Sequence, residues 1–528
     1  MATKGSIKPG HGRAGRHPTR EFLDMLEANK DPGMFGRMFP DLAPLVVADG
    51  PLRELADAMK DPDPGNTDGN NAAVPAGFTY LGQFIDHDIT LDMTSIGEKE
   101  ADPNATENFR TPSLDLDAIY GLGPDGSRQL YARNVPEPGD EPNFSGKGAG
   151  PAFLFGETVL GGPGDIAAVH PNDLPRSPEG FALIGDHRND ENLIVAQTHL
   201  AFLKLHNKVC ERERAKDKTL SNSDLFRRAR QIVTWHYQWM VLHDFVERVT
   251  ADGIVAKILH DGRKFYRFKK FPYMPVEFSA AAYRFGHSMV RERYSHNRIF
   301  TTGGAGKIAS LQQLFDFTGL SGIIVGEFAK KLPPGTFALP RLPSNWIIDW
   351  RRYHDLKAIA PNPADVPLNP SRRIDPFLIP QLHNLPGSDG SLPFRNMRRG
   401  VILGLPSGQD VARHIGVKDP MTPDEIASGT DGAVAKKHGL HTKTPLFYYI
   451  LKEAEQKGKG LRLGPVGATI ISEVFVGLVH GDHDSYLWRK GKNWKPELPS
   501  AVAGTFTMAD LLQYVGDISP LDKITALP

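Results

Sequence analysis

Apolar residues recur at helical spacing in four stretches of the chain, whereas convincing strand alternation is scarce. The first predicted helix runs from about Ala76 to Ile89, entered after Pro75, a residue suited to a helix's first turn. The second runs from about Asp190 to Arg214, with Leu193, Ala196, Leu200, Leu203 and Asn207 along one face. The third covers about Asn222 to Val249, and its Trp and aliphatic content predicts burial. The fourth spans about Val276 to Arg293, with Phe278, Ala281, Phe285 and Met289 at core spacing. Long Pro/Gly-rich connections intervene at Pro103–Pro112, Gly121–Pro151, Gly161–Gly180 and Leu332–Pro343. Such loops carry function or wrap tightly over a core. The pattern predicts a mainly α fold: one large helical domain with long irregular loops and little β structure.

Residues 1–20 are rich in Gly, Lys, Arg and His without periodicity and read as a flexible basic arm. Neither an internal repeat nor a linker divides residues 21–528, which are expected to form a single domain. Over 528 residues, 62 Lys+Arg balance 62 Asp+Glu, so no global field recruits nucleic acid. The one cysteine, Cys210, excludes an intrachain disulfide and a cysteine-held zinc or iron–sulfur centre. The N-terminus lacks an apolar run of signal-peptide type. Val466–Val479, the most apolar stretch, is too short for a span and contains Glu473. The expectation is a soluble chain without a membrane span, cytoplasmic or exported without a recognisable signal.

Chemistry concentrates in four places. In Gly82-Gln83-Phe84-Ile85-Asp86-His87-Asp88, helical spacing puts Gln83, Asp86 and His87 on one face. Burying such a set is expensive without a purpose, although a solvent-facing polar stripe would give the same spacing. Gly185-Asp186-His187-Arg188-Asn189-Asp190-Glu191-Asn192 opens the second helix. Its acids suit a helix start, but Arg188 is a cation at the wrong end, better used against negative charge in a pocket. In Tyr283-Arg284-Phe285-Gly286-His287-Ser288, the glycine leaves room for something flat beside the imidazole, yet a lone helical histidine is more often core than ligand. Phe394-Arg395-Asn396-Met397-Arg398-Arg399-Gly400 supplies an amide and guanidinium groups. His236 and His243 read as core or groove residues; His480, Asp482 and His483 could bind a metal but read more simply as a polar loop.

Six motifs in order, GQFIDHD, RTPSLDLDAIYG, GDHRNDEN…THLAFLKLHN, YRFGH, NMRRG…GLPSGQD and LGPVG…EVFVGLVHGD, resemble those of the animal-type haem peroxidases of the peroxidase–cyclooxygenase superfamily. They extend from about Phe78 to Asp482. The resemblance implies haem b and a reaction in which hydrogen peroxide is reduced and small anionic or aromatic donors are oxidised through a ferryl intermediate. It implies that His87 is the distal histidine, Arg188 the distal arginine, and Gln83 an organiser of water and small anions. His287 would be the proximal iron ligand, with Asn396 accepting from its other ring nitrogen. Arg284 and Arg399 would lie near the haem, the latter beside a propionate. A neutral imidazole that takes and returns a proton is worth ~10²–10⁴ in rate, and a fixed guanidinium stabilises charge as the O–O bond breaks.

The resemblance also implies ester links from Asp86 and Glu191 to the haem. Asn192 stands where a sulfonium-forming methionine would be, so at most two links are expected, with chloride a poorer donor than bromide, iodide or thiocyanate. Arg110-Thr111-Pro112-Ser113-Leu114-Asp115-Leu116-Asp117 resembles the family's calcium loop. Thr111, Ser113, Asp115 and Asp117, expected on one side of an extended stretch, would join Asp88 in an oxygen shell for Ca²⁺. A Pro-initiated surface turn is the plainer alternative. The tyrosine that fatty-acid dioxygenases carry three residues before the proximal histidine is here Arg284, with Tyr283 one step earlier. Val401-Ile402-Leu403 replaces the Arg-Asp-His run that usually follows the proximal asparagine. A fatty-acid dioxygenase is the rival enzyme, and a non-catalytic haem-binding or adhesion module the rival outside enzymes.

Overall fold

The computed structural model describes residues 35–91, 110–133, 135, 137–138, 149–160, 168–269, 271–320, 324, 341–356, 366–385 and 390–522. The predicted basic arm lies outside the described residues, as do parts of all four Pro/Gly-rich connections. Helices dominate, as the periodicity predicts. The longer helices around the centre are α1 (Gly77–Ile89), α2 (Leu193–Lys216), α3 (Asn222–Met240), α4 (Leu392–Ile402), α5 (Leu446–Gly458) and α6 (Pro465–Gly481). Sheets among the described residues are four separate two-stranded pairs. In one of them Asn70–Pro75 (β1) runs antiparallel to Pro370–Arg372 (β2) and feeds directly into α1.

The apolar face of α1 fixes it at the centre. Phe84 stacks on Phe202 of α2 at 4.9 Å and 4°, and meets Tyr237 of α3 edge-on at 6.3 Å. Aromatic contacts of this kind add about 0.5–1.5 kcal/mol beyond the area they bury. α2 starts at Leu193, later than its apolar period suggests, because Asn192 is the cap: its side chain accepts from the N–H of Ile194 and Val195. The four residues His187–Asp190 before it wind as a 3₁₀ turn capped by the Asp186 carboxylate. α3 passes without a break into a π turn, Val241–Val246, and a last turn, Glu247–Val249, so the predicted third helix is continuous. The wider turn carries Phe245 toward α1, where a Cβ on Gly82 would come within 3.1 Å of its ring. A side chain at Gly82 would have to push that ring back by a few tenths of an ångström.

The predicted fourth helix is corrected. Val276–Ser279 form one α-turn, the backbone breaks at Ala281 (φ −131°, ψ −70°), and Ala282–His287 is a 3₁₀ turn that ends at the histidine. A side chain takes the helix's own acceptor here: Arg284 Nε donates to the Ser279 carbonyl at 2.7 Å. Phe278, Ala280, Ala281, Ala282, Tyr283 and Phe285 are all buried, so apolar residues occur on every side and their spacing did not report a helical face.

In α6 the acid within the apolar stretch has a structural task. Glu473 accepts from the backbone N–H of Lys264, Phe265 and Tyr266 at 2.7–2.8 Å, holding that loop against the helix. The buried apolar side chains of all these elements form one connected cluster. No helix among the described residues is long and apolar enough to cross a membrane.

Candidate active site

A cleft of about 360 Å³ opens between α1, the turn 282–287 and the start of α2. That lies within the ~300–1,000 Å³ of drug-sized sites. Gln83, Asp86 and His87 line it from α1, Glu191 from the start of α2, and Arg284, Gly286 and His287 from the 3₁₀ turn. The two imidazoles, 200 residues apart in sequence, therefore share one cavity. Phe78, Tyr80, Phe245, Tyr283, Phe285 and Leu382 supply apolar wall. Gly286 borders open space, since a Cβ built there meets nothing within 4 Å.

On the α1 side, His87 is buried and held at Nδ1, with a carboxylate near Nε2. Nδ1 lies 2.7 Å from Asn189 Oδ1, and Nε2 lies 3.6 Å from Glu191 Oε1. The amide oxygen can only accept, so Nδ1 carries the proton and the Nε2 lone pair faces the cleft. Burial, reinforced by the charge of Arg188, pulls the imidazole down to about 4, which leaves it neutral at pH 7. Gln83 Nε2 donates to Glu191 Oε1 at 3.2 Å. Burial raises the Glu191 carboxyl to about 7. Burial also pulls the Asp86 carboxyl upward, but the charges of Arg284, His87 and Arg188 outweigh it and hold Asp86 below the ordinary range. Arg284 reaches Asp86 at 3.5 Å.

Arg188 does not line the cleft in this arrangement. Its guanidinium folds onto Asp186, with Nε at 3.1 Å and Nη2 at 2.7 Å, and Nη2 also donates to the His87 carbonyl at 2.8 Å. Asp186 is shared: Arg110 pairs with the same carboxylate from the opposite side. Asn189 donates in turn to His199 Nδ1 at 3.0 Å. Sequence reasoning passed over both Asp186 and Asn189. The first was legible as a helix cap, while nothing local ties Asn189 to a histidine 102 residues earlier.

Opposite α1, it is the side-chain nitrogen of Asn396 on α4, Nδ2, that lies 2.9 Å from His287 Nδ1, so as placed the amide donates rather than accepts as expected. Amide oxygen and nitrogen are interchangeable by a side-chain flip, and with the oxygen turned to Nδ1–H the Nε2 lone pair is left for a metal. Burial, with the charge of Arg284, lowers this imidazole to about 3, so it too is neutral. Asn396 stands behind the histidine rather than on the cleft wall. Burial lowers the Arg399 guanidinium while the Asp86 carboxylate raises it, so the two lie within electrostatic reach.

The loop from Thr111 to Asp117 packs beneath α1 and is buried apart from Thr111. It is wound rather than extended, which corrects the expected alternation. Leu116 adopts a left-handed conformation (φ 59°), and Asp117 starts a short helix, Asp117–Tyr120. Thr111 Oγ1 donates to Asp117 Oδ2 at 3.4 Å, and Asp117 N–H donates to Asp115 Oδ1 at 3.3 Å. Asp88 Oδ1, Ser113 Oγ and Asp117 Oδ1 are buried without a hydrogen-bond partner. Burial and the Asp117 charge raise the Asp88 carboxyl to about 7. Counting only His, Cys, Asp and Glu, no group of three or more among the described residues is arranged to hold a metal ion. The hydroxyl oxygens of Thr111 and Ser113 fall outside that set. His236 accepts from the N–H of Glu497 and Leu498 as a core residue, and His480 and His483 pack on Trp488, with His480 in the last turn of α6 rather than in the expected loop.

Residues 94–315 match the family model described as animal haem peroxidase. The match includes the loop 111–117, Arg188, Glu191, Arg284 and His287; Gln83, Asp86 and His87 precede it and Asn396 and Arg399 follow it. Peroxidase skpo-1 of Caenorhabditis elegans is 22% identical over 428 residues, covering 77% of this chain and 58% of that protein. The chain spans less than two thirds of the length of the curated relatives it matches. Peroxidase A of Dictyostelium discoideum shares the fold, with a TM-score of 0.59, 16% identity, and coverage of 92% of this chain and 94% of that one. A fatty acid alpha-dioxygenase of Oryza sativa shares it as well, with a TM-score of 0.52, 14% identity, and coverage of 94% and 77%.

Proposed function

We propose that this chain, a relative of the animal haem peroxidases with the fold of the peroxidase–cyclooxygenase superfamily, reduces hydrogen peroxide and oxidises small donors at the cleft between His87 and His287. The observation that carries this reading is the pairing of two neutral imidazoles in one cavity, His87 buried and His287 half-buried, each with an asparagine side chain against its Nδ1. The residues fit a haem. Gly286 borders open space beside His287, the cleft is lined by apolar wall suited to a flat ligand, Arg284 on that wall would face its carboxylates, and Arg399 lies within electrostatic reach of Asp86. His287 would hold the iron, and Asp86 and Glu191 stand on the wall as carboxylates for ester links. Bound haem would supply the redox centre at which peroxide is split.

The chain's own residues do the proton work. His87 Nε2 would accept a proton from hydrogen peroxide and return it to the leaving oxygen, while Asn189 keeps the ring in the tautomer that can do so. Gln83 and Glu191, bonded to each other beside His87, order water and small anions. Arg188 supplies a fixed positive charge against the His87 backbone. The donors that suit a small cleft bearing Arg284 are anions such as bromide, iodide or thiocyanate, and phenols. Against a dioxygenase, Arg284 occupies the position of the radical-forming tyrosine and is bound to Asp86 and Ser279, while the neighbouring Tyr283 hydroxyl is tied to the Gly82 carbonyl at 3.0 Å.

The test is reconstitution with haem, followed by peroxide-driven oxidation of bromide, iodide, thiocyanate and phenols, with a fatty acid plus oxygen as the contrasting substrate. Donor turnover without fatty-acid oxygenation supports the peroxidase. A Soret band with no turnover of either kind selects a haem-binding module. Haem colour that survives acid acetone on a denaturing gel, and is lost from an Asp86→Ala, Glu191→Ala double variant, supports the ester links.

A further inference from the structure

The wall of the cleft opens onto a file of buried, hydrogen-bonded aromatic side chains that the proton chemistry above does not use. Tyr80, on α1 seven residues before His87, lines the cleft. Its hydroxyl donates to that of Tyr294 at 2.7 Å, with ring centroids 5.8 Å apart. The Tyr294 ring lies nearly parallel to that of Tyr353, at 6.1 Å and 21°. The Tyr353 hydroxyl is 2.9 Å from His296 Nδ1. All four side chains are buried at 2% exposure or less, so water competes for none of these contacts.

The tautomer of His296 follows from its other nitrogen. Nε2 is 2.9 Å from the Trp346 carbonyl, which can only accept, so Nε2 carries the proton. In the neutral ring Nδ1 is then a lone pair, and Tyr353 O–H donates to it. A phenol is far easier to oxidise when a base in hydrogen-bond contact takes its proton with the electron, because the phenol radical cation is a much stronger acid than an imidazolium. Tyr353 alone in this file has a base in hydrogen-bond contact. Tyr80 and Tyr294 are bonded to each other, and the Tyr294 oxygen accepts further from the N–H of Arg291 at 2.8 Å.

We propose that Tyr80, Tyr294 and the Tyr353–His296 pair form a one-electron relay that moves an oxidising equivalent out of the cleft and stores it as a neutral tyrosyl radical at Tyr353. In the step, one electron passes from Tyr353 through Tyr294 and Tyr80 to the peroxide-oxidised haem, which is reduced by one equivalent. The phenolic O–H bond of Tyr353 breaks, its proton passes to His296 Nδ1 to give an imidazolium, and the radical carries no charge. Reversal of both transfers restores the pair. The inference rests on the peroxidase reading, since the haem and peroxide supply the oxidant.

Two measurements test it. In the haem-free protein, ¹⁵N NMR of labelled histidine reads the tautomer without any turnover: His296 is expected to be protonated at Nε2 and bare at Nδ1, and the opposite tautomer overturns the relay. In the haem-loaded protein, freeze-quenched EPR after peroxide is expected to show a tyrosyl signal that narrows with ring-deuterated tyrosine. Tyr353→Phe should lower it by about tenfold while the Soret response to peroxide keeps its rate, and His296→Gln should shorten its lifetime. A Soret response with no tyrosyl signal, or with one that Tyr353→Phe leaves unchanged, overturns the relay and leaves the peroxidase reading standing. No Soret response at all overturns both. Should Tyr353→Phe fail to fold, Tyr294→Phe interrupts the same file and is expected to lower the signal likewise.

Discussion

His87 Nδ1 stands 2.7 Å from the side-chain oxygen of Asn189, and Asn189 is itself held by His199 at 3.0 Å. The amide therefore selects one tautomer of the imidazole that faces the cleft, acting on the reaction through another residue. Asn189→Ala is expected to slow the peroxide-driven Soret change by roughly 10–100-fold, the cost of losing an orienting partner. Haem content should stay unchanged. Asn189→Asp, which keeps the acceptor, should recover most of the rate. Equal rates for the native protein and Asn189→Ala would remove the positioning role.

The two cleft imidazoles are expected to fail differently. His87→Gln removes the proton acceptor and should lower the rate of reaction with peroxide by about 10²–10⁴-fold while haem stays bound. His287→Ala removes the residue with the Asn396-fixed Nδ1 and should lose the haem or shift its Soret band strongly. The measurements are haem content per chain and stopped-flow absorbance. Swapped phenotypes would exchange the two assignments.

How far the sequence revealed this site depends on the range of each interaction. Gln83, Asp86 and His87 were legible because helical spacing alone puts them on one face of α1. The third helix was legible through its continuous apolar content, π turn included. Around His287 the apolar residues are buried on every side, so periodicity overextended a helix that Arg284 breaks by taking the Ser279 carbonyl. The left-handed Leu116 likewise has no local signal, since leucine disfavours that conformation, and the loop was expected to be extended. Asp186 and Asn189 act on residues 76 and 102 positions earlier, contacts that only the assembled fold creates.

Asp186 joins two arginines. Arg110 and Arg188 both bind its buried carboxylate, and their positive charges and hydrogen bonds outweigh burial to hold it far below the usual carboxylate range. A folded-state pKa depressed below the unfolded value of about 3.9 contributes stability that is fully present above that value and is lost as pH falls toward the folded value. Asp186→Ala strands two guanidinium groups and is expected to cost about 3–5 kcal/mol at pH 7 by denaturant unfolding. The difference from the native protein should shrink steadily below about pH 4. A difference that stays constant down to pH 2 would falsify the charge argument.

Calcium binding is the outcome expected of the loop under α1. Left-handed backbone at Leu116 costs about 1–2 kcal/mol, part of which its N–H recovers by donating to Asp88 Oδ2 at 3.2 Å. Asp88 Oδ1, Ser113 Oγ and Asp117 Oδ1 are buried without hydrogen-bond partners, the last with Arg230 at 3.7 Å, and a hard, oxygen-seeking cation is the ligand such oxygens suit, with Thr111 and Asp115 in the same loop. Because Asp88 adjoins His87 and Arg110 ties the loop's start to Asp186 and so to Arg188, occupancy should be felt in the cleft. Removing the ion with a chelator is expected to lower the unfolding midpoint, and calcium at a hundredfold excess over Kd should restore about 2.7 kcal/mol. Asp117→Asn should abolish the restoration, and magnesium should substitute poorly because it demands a tighter octahedral shell. A melting curve and Soret spectrum unmoved by chelation in the native protein would leave the loop as an acid-rich turn with no ion to hold.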